Sequence, residues 1–167
     1  MGRQRKTTEN KRDENIVAQE VQGRLRRILY FDDEPFIAES LSRVLELFGN
    51  DVTLVSNIGD LCTQLNKYEF DILILDVMAP IPETSNEIFN FNQDDIDEMM
   101  DGMNTGVVLA KKIWLLPKYK DIPILFLSAR KSPFHDDPEY FNNHKCNYIR
   151  KPELGKTIND ILIKMAF

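Results

Sequence analysis

Four short apolar runs in this chain each end in residues able to do chemistry. Arg27-Ile28-Leu29-Tyr30-Phe31 leads into Asp32-Asp33, Ile72-Leu73-Ile74-Leu75 into Asp76, Ile124-Leu125-Phe126-Leu127 into Ser128, and Tyr148-Ile149-Arg150 into Lys151-Pro152. If these endings meet, three carboxylates, a hydroxyl and an ammonium share one crevice. Crowded carboxylates repel and raise one another's pKa, so such a group needs a compensating cation. An all-oxygen donor set suits a hard ion, and Mg2+ is the usual choice where one or two carboxylates, a carbonyl and waters supply the ligands. A metal, the Lys151 ammonium and the Ser128 hydroxyl around one aspartate are the parts that stabilise the equatorial oxygens of a transferring phosphoryl group. The aspartate itself would be the nucleophile, forming an acyl phosphate.

Whether the endings meet depends on the elements that carry them. Continuous β-branched and aliphatic runs separated by segments of helical period read as buried parallel strands with crossover helices. Parallel strands end together, so the polar residues after each run would gather at one sheet edge, where open α/β folds bind their ligands. Ile37, Leu41, Val44, Leu45 and Phe48 form the stripe of a first helix, and Gly49 stands where a helix usually closes in the left-handed conformation. Residues 51–55 give a short second strand, and Ile58, Leu61, Cys62 and Leu65 a second helix before Tyr68 and Phe70 lead into the third strand. Val107, Val108, Ala110, Ile113, Trp114 and Leu115 make a third helix, and Ile122-Pro123 introduces the fourth strand. The stretch 133–143 is polar and broken by proline, with room for a short helix only. Leu154, Ile158, Ile161, Leu162 and Met165 predict a last helix packed on the sheet. A repeated βα unit in a single sheet implies an α/β fold with right-handed crossovers and helices on both faces.

Taken singly, each chemical residue has an ordinary structural reading. Asp32 to Glu34 before Pro35 suits a helix start. Asp76 could be a loop carboxylate, Ser128 another cap, and Lys151 a solvated strand end. Chance would have to place all of them, in order, at the ends of apolar runs.

On these residues the chain resembles the receiver domain of two-component response regulators, over about residues 27 to 167. That family carries an acidic pair after strand 1, the phosphoacceptor aspartate after strand 3, a Ser or Thr after strand 4 and a Lys-Pro after strand 5. Asp32 and Asp33, Asp76, Ser128, and Lys151 with Pro152 fill those positions. The resemblance implies a flavodoxin-like, doubly wound, five-stranded parallel sheet of order 2-1-3-4-5 in three αβα layers. It implies a Mg2+ site in which Asp33 and Asp76 bind directly, Asp32 helps through water and the backbone carbonyl of Met78 completes the protein ligands. Asp76 would be the phosphoacceptor, with Ser128 and Lys151 on the phosphoryl oxygens. Tyr148 matches the aromatic position that the family uses as a conformational reporter, so a switch would run from Ser128 toward Tyr148. An aromatic in a strand is also an ordinary packing residue, and the role of Tyr148 rests on the resemblance alone. The implied donor is a histidine kinase or phosphotransfer protein, the implied target a downstream protein, and a homodimer is compatible with the reading. Such a domain takes up a phosphoryl group without separate turnover, so it is a signalling domain rather than an enzyme.

The 167 residues suit one domain with a sizeable core, which a receiver would nearly fill, so output is expected through a partner. No apolar stretch approaches the length of a membrane span and no hydrophobic leader stands at the N-terminus, which predicts a cytoplasmic protein with no membrane contact. Cys62 and Cys146 show no metal-binding spacing and read as reduced residues. The net charge of −6 is unevenly spread: residues 1–27 hold eight Lys or Arg against four Asp or Glu, or +4, which leaves −10 for the rest. Residues 1–26 read as a basic extension, flexible or helical, and the lack of interleaved aromatics argues against nucleic-acid contact. His135 and His144 read as surface residues, so a phosphodonor histidine should come from another protein.

The chain departs from the family pattern between Asp76 and Gly106. Short βα loops are the rule, and this connection takes about thirty residues. From about residue 79 to 101 it carries Glu83, Glu87, Asp94, Asp95, Asp97, Glu98 and Asp101, with no Lys or Arg, and an apolar side of Ile88, Phe89, Phe91, Ile96, Met99 and Met100. Three readings stand: a mobile solvated loop, an acidic surface for a specific partner, or a lid controlling water access to an acyl phosphate. The acidic residues lack the glycine and spacing of an EF-hand loop. Two other functions share the fold. One is a non-phosphorylated interaction module that uses the insert. The other is an aspartate-nucleophile phosphatase, which the sequence Asp32-Asp33-Glu34 fits poorly because those enzymes carry Asp-x-Asp.

Overall fold

The structure, a computed structural model, describes residues 25–80, 89–99, 103–129, 134, 138–152 and 155–165. Residues 1–24 of the basic stretch 1–26, Leu154, His135, and residues 81–88, 100 and 101 of the acidic stretch 79–101 lie outside the described residues. Five parallel strands form one sheet: β1 (Arg26–Phe31), β2 (Asn50–Val55), β3 (Ile72–Asp76), β4 (Ile124–Ser128) and β5 (Cys146–Arg150). Their order is β2-β1-β3-β4-β5. This is the flavodoxin-like arrangement expected from the sequence. The central strands β3 and β4 are buried at every position, as befits continuous apolar runs covered on both faces.

Alternation along the strands divides the core in two. Leu29, Phe31, Leu73, Leu75, Ile124 and Phe126 face one layer, and Ile28, Tyr30, Ile72, Ile74, Leu125 and Leu127 face the other. Helices α1 (Pro35–Leu47) and α6 (Gly155–Met165) cover the second face through Ala38, Leu45, Ile158 and Leu162. Helices α2 (Ile58–Lys67), α4 (Thr105–Trp114) and α5 (Pro138–Asn142) cover the first through residues such as Leu61, Leu65, Leu109, Ile113 and Phe141. Helix α1 starts at Pro35, where the fixed φ of proline suits a first turn, and closes at Gly49 with φ +79°. Helix α2 is capped by Asn57, whose Oδ1 accepts from the Asp60 amide at 2.8 Å.

Residues 89–99 of the acidic stretch are folded. Gln93–Met99 form a short helix, α3, whose start is fixed by reciprocal bonds: Asp95 N–H donates to Asn92 Oδ1 (2.9 Å) and Asn92 N–H to Asp95 Oδ2 (2.8 Å). Met99 and Phe89 are buried, and Phe91 packs on Phe89. Asp95 pairs with Lys112, and Glu98 with Lys111 at 3.0 Å, which ties the acidic helix to the basic end of α4. For residues 89–99 the picture of a solvated loop therefore gives way to a packed one. Among the described residues no helix is long and apolar enough to cross a membrane.

Candidate functional site

Parallel register brings the strand ends together. Phe31, the last residue of β1, lies level with Leu75, so Asp32 stands beside Asp76; Asp76 is level with Leu127, and Ser128 with Arg150. Asp32, Asp33 and Asp76 converge so that one carboxylate oxygen from each lies within 4.8 Å of the others. Asp32 is 0% exposed and Asp76 3%. Two buried carboxylates this close would be strongly unfavourable alone. Lys151 answers both, its Nζ donating to Asp32 Oδ2 and Asp76 Oδ2 at 2.8 Å each, with Glu34 Oε2 at 3.7 Å on the rim.

The remaining lone pairs are shared among neighbours. Tyr30 donates its hydroxyl to Asp32 Oδ2 (2.6 Å), and Asp32 Oδ1 accepts the Glu34 amide (3.0 Å) at the entry to α1. Asp32 thus braces the approach to α1 as well as standing in the cluster, while the N-cap position itself is Glu34, with no side-chain capping bond. Asp76 Oδ1 accepts the Met78 amide at 3.1 Å. Among the described residues Asp33 Oδ1, which is buried, has no hydrogen-bond partner.

The electrostatics follow from this crowding. Burial pushes the Asp76 carboxyl up to about 6, with Asp32 adding to the rise and Lys151 opposing it. Burial also raises Asp33, helped by Asp32 and Glu34. For Lys151 burial works toward a lower pKa, but the bonds to Asp32 and Asp76 outweigh it and the net shift is upward. Tyr30 is raised by burial and then by Asp32, so it stays a donor. Among the described residues one ammonium therefore faces three carboxylates, one of which keeps a buried oxygen without a hydrogen bond. That donor set fits a hard divalent cation held by Asp32, Asp33 and Asp76.

Of the residues singled out from the sequence, Asp32, Asp33, Asp76 and Lys151 form one cluster. Ser128 is buried at the end of β4, where its carbonyl accepts the Lys151 amide at 2.8 Å. Met78 is half-buried two residues beyond Asp76. Tyr148 stands apart, half-buried on β5 with its ring against Phe134 (centroids 6.4 Å apart), in an aromatic group that includes Phe126 and Phe141. His144 is not bare surface: its ring stacks against those of Trp114 and Tyr140, at 4.1 and 4.6 Å.

Three residues escaped the sequence reading. Tyr30 was absorbed into an apolar run, although its i, i+2 relation to Asp32 puts both on one side of the strand path. Thr105 donates its hydroxyl to the Ala79 carbonyl (2.6 Å), pinning the segment after Asp76 to the start of α4. Gly106 donates its amide to the Val77 carbonyl (3.1 Å), and a Cβ built on it would lie 2.1 Å from the Asp76 carbonyl oxygen. Only a glycine permits this approach.

A prediction follows for Lys151→Met. Removing the Lys151 ammonium takes away the cation that bonds both Asp32 and Asp76, which should cost about 3 kcal/mol in urea unfolding at pH 7.5 in EDTA. Asp76 already titrates at about 6 with the lysine present. Protonation at pH 5 removes one of the two charges, so the deficit should shrink there. A deficit that does not change with pH would assign Lys151 a packing role.

No family model matches the sequence, and no curated protein matches it. Solved structures do match the fold. The chemotaxis response regulator CheY4 of Vibrio cholerae aligns with TM-score 0.62 and 20% identity, over 85% of this chain and 99% of that one. A CheY-like response regulator receiver domain from Methanospirillum hungatei aligns with TM-score 0.60 and 18% identity, over 86% and 94%. The signal receiver domain of a signal transduction histidine kinase from Syntrophus aciditrophicus aligns with TM-score 0.60 and 20% identity, over 84% and 89%. The chain has the CheY-like fold of response-regulator receiver domains. At these identities the likeness is one of fold, and the chemistry has to be argued from the site.

Proposed function

We propose that this chain is a phosphoacceptor receiver of a two-component system, in which Asp76 takes a phosphoryl group from a histidine kinase or phosphotransfer protein in a Mg2+-dependent step. Residues 27–167 are the receiver unit, with the acidic insert at about 79–101 and the basic segment 1–26 as additions to it. The observation that carries this reading is the imbalance at the strand ends: Lys151 lies 2.8 Å from both Asp32 and Asp76, while Asp33 Oδ1 is buried with no partner among the described residues.

In the reaction an Asp76 oxygen attacks phosphorus, the phosphorus–nitrogen bond of the donor breaks, and its electron pair returns to the imidazole. Asp33, Asp76 and the Met78 carbonyl would hold Mg2+, with Asp32 helping through water, and the ion would draw charge from the phosphoryl oxygens. Lys151, already over Asp76, would swing its ammonium onto one of those oxygens, and the Ser128 hydroxyl would donate to another. A phosphoryl group on Asp76 changes the charge beside Ser128, and we place the resulting switch along Ser128 toward Tyr148, where a downstream protein would read it. On this reading the protein works in the cytoplasm in signal transduction.

The test is intact mass after incubation with acetyl phosphate, with Mg2+ and with EDTA. One phosphoryl group should be gained with Mg2+ and none with EDTA. No gain by a folded protein would sink the reading and leave a non-phosphorylated interaction module with the acidic insert as its contact surface.

A further inference from the structure

The outer face of α1 is apolar where a surface helix is normally polar. Phe36 is 87% exposed and Leu47 86%, with Ile37 and Phe48 about half exposed. Positions 36, 40, 44 and 47 form one line along the helix, with 37, 41 and 48 beside it. Ala38, Ser42 and Leu45 are the buried residues of α1, so this line looks away from the sheet. Beside it runs a groove of about 390 Å3 lined by Phe36, Ile37, Leu41, Val44, Ile149 and Pro152. Tyr30 and Lys151, which both bond Asp32, also line it. Continuous exposed apolar surface of this kind marks an interaction site.

The pattern along α1 points to what covers it. When two copies of the helix cross antiparallel about a twofold axis at residue 42, position 36 comes level with 48, 37 with 47, and 40 with 44. The large residues at one end of each copy then meet the large residues at the opposite end of the other. Ser40, the smallest residue in the line, falls near the centre and lets the helices approach. Its hydroxyl is already bonded to the Phe36 carbonyl (2.8 Å), so covering it leaves no polar group unmet.

Charge supports the same pairing. Glu39 and Arg43 flank the line as an exposed i, i+4 pair at 3.6 Å, with side chains 57% and 78% exposed. In the antiparallel arrangement Arg43 of each copy lies within a turn of Glu39 of the other, so the two residues can close symmetric ion pairs. One patch that complements itself is what an isologous interface requires. We propose that the Phe36–Phe48 face of α1 is a twofold interface between two copies of this chain. Helices that meet along one face bury less than a standard interface, so the association is weak. The inference rests on exposure and pattern, and it stands whether or not Asp76 accepts a phosphoryl group.

The experiment is sedimentation equilibrium of the full chain from about 5 to 500 µM, beside Phe36→Glu and Leu47→Glu. Both positions are exposed, and equal urea midpoints for the three proteins would check that the fold is kept. The wild type should show a monomer–dimer equilibrium that each variant weakens at least about tenfold, the loss of roughly 1.4 kcal/mol or more. Arg43→Glu should weaken it as well, and Glu39→Arg added to Arg43→Glu should restore it. A wild type that is monomeric over the whole range overturns the proposal, and so does a dimer that neither Phe36→Glu nor Leu47→Glu weakens. A monomer whose α1 amides exchange slowly would give the face to another segment of the same chain, and would overturn it equally.

Discussion

Asp76→Asn is expected to take up no phosphoryl group from acetyl phosphate and, at the same time, to unfold at a higher urea concentration than the wild type in EDTA at pH 7.5. The two effects share one origin. Asp76 is almost fully buried next to Asp32, and its pKa stands at about 6 against an ordinary value of 3.8. A carboxyl raised in the folded state binds its proton more tightly there than in the unfolded chain. Its penalty is therefore absent below about pH 4, grows between 4 and 6, and is complete above 6. A difference of about two pKa units corresponds to about 3 kcal/mol, and the amide also gives up a charged partner for Lys151, so a gain of about 1 to 3 kcal/mol is expected at pH 7.5. At pH 4 the gain should vanish. Saturating Mg2+ should reduce the difference too, because the wild type recovers stability by binding the ion while the amide has lost a ligand. An Asn variant that is labelled as fully as the wild type would remove Asp76 from the reaction. An Asn variant less stable than the wild type at neutral pH would mean that Lys151 overcompensates the cluster, and that the buried carboxylates are not short of positive charge.

That stored repulsion was largely legible in the sequence, because β-sheet register needs little more than the lengths of apolar runs. Ile72 to Leu75 and Ile124 to Leu127 have no polar interruption, and once they are read as parallel neighbours their polar successors must converge. Gly49 marked the end of α1 for a similarly local reason. What stayed hidden depends on distances between elements. Helix α3 spans seven residues, too few for a periodic signal, and its position is fixed by Met99 in the core and by Lys111 and Lys112 on a later helix. Tyr148 matches a family position by residue type alone, and its place in the fold, with its ring 6.4 Å from Phe134 and its backbone level with Phe126, depends on contacts between elements that no local pattern carries. Residue type does not separate a packing role from a switch role there, since packing rings and reporter rings are both aromatic and both sit in strands.

Gly106 shows the same limit with the largest consequence for stability. In the first turn of a helix a glycine normally reads as a weak point, and alanine there should gain about 0.5 to 1 kcal/mol. Here the start of α4 crosses the end of β3 so closely that a Cβ would meet the Asp76 carbonyl oxygen at 2.1 Å, the Asp76 carbonyl carbon at 2.8 Å and Val77 Cα at 2.9 Å. All three are backbone atoms at the end of a buried central strand, so none can rotate aside. The helix start would have to retreat, which would stretch the bonds from the Gly106 amide to Val77 and from the Thr105 hydroxyl to Ala79. Gly106→Ala should therefore destabilise by about 2 to 4 kcal/mol, and Gly106→Val should do so by more, through overpacking of a site that cannot relax. Gly59→Ala is the matched control, since the first atom a Cβ would meet there is the Asn57 side-chain oxygen at 3.3 Å, in the first turn of α2. That change should stay within about 1 kcal/mol of the wild type. Urea midpoints at unchanged m-value decide the matter, and Mg2+ titrations on the Ala variant separate fold from site. Because the clash bears on the carbonyl of Asp76 itself, cation affinity should fall in Gly106→Ala even where the protein remains folded. If Gly106→Ala proved as stable as Gly59→Ala, α4 would have to stand farther from β3 than the structure places it, and the geometry of the cluster would have to be redrawn with it.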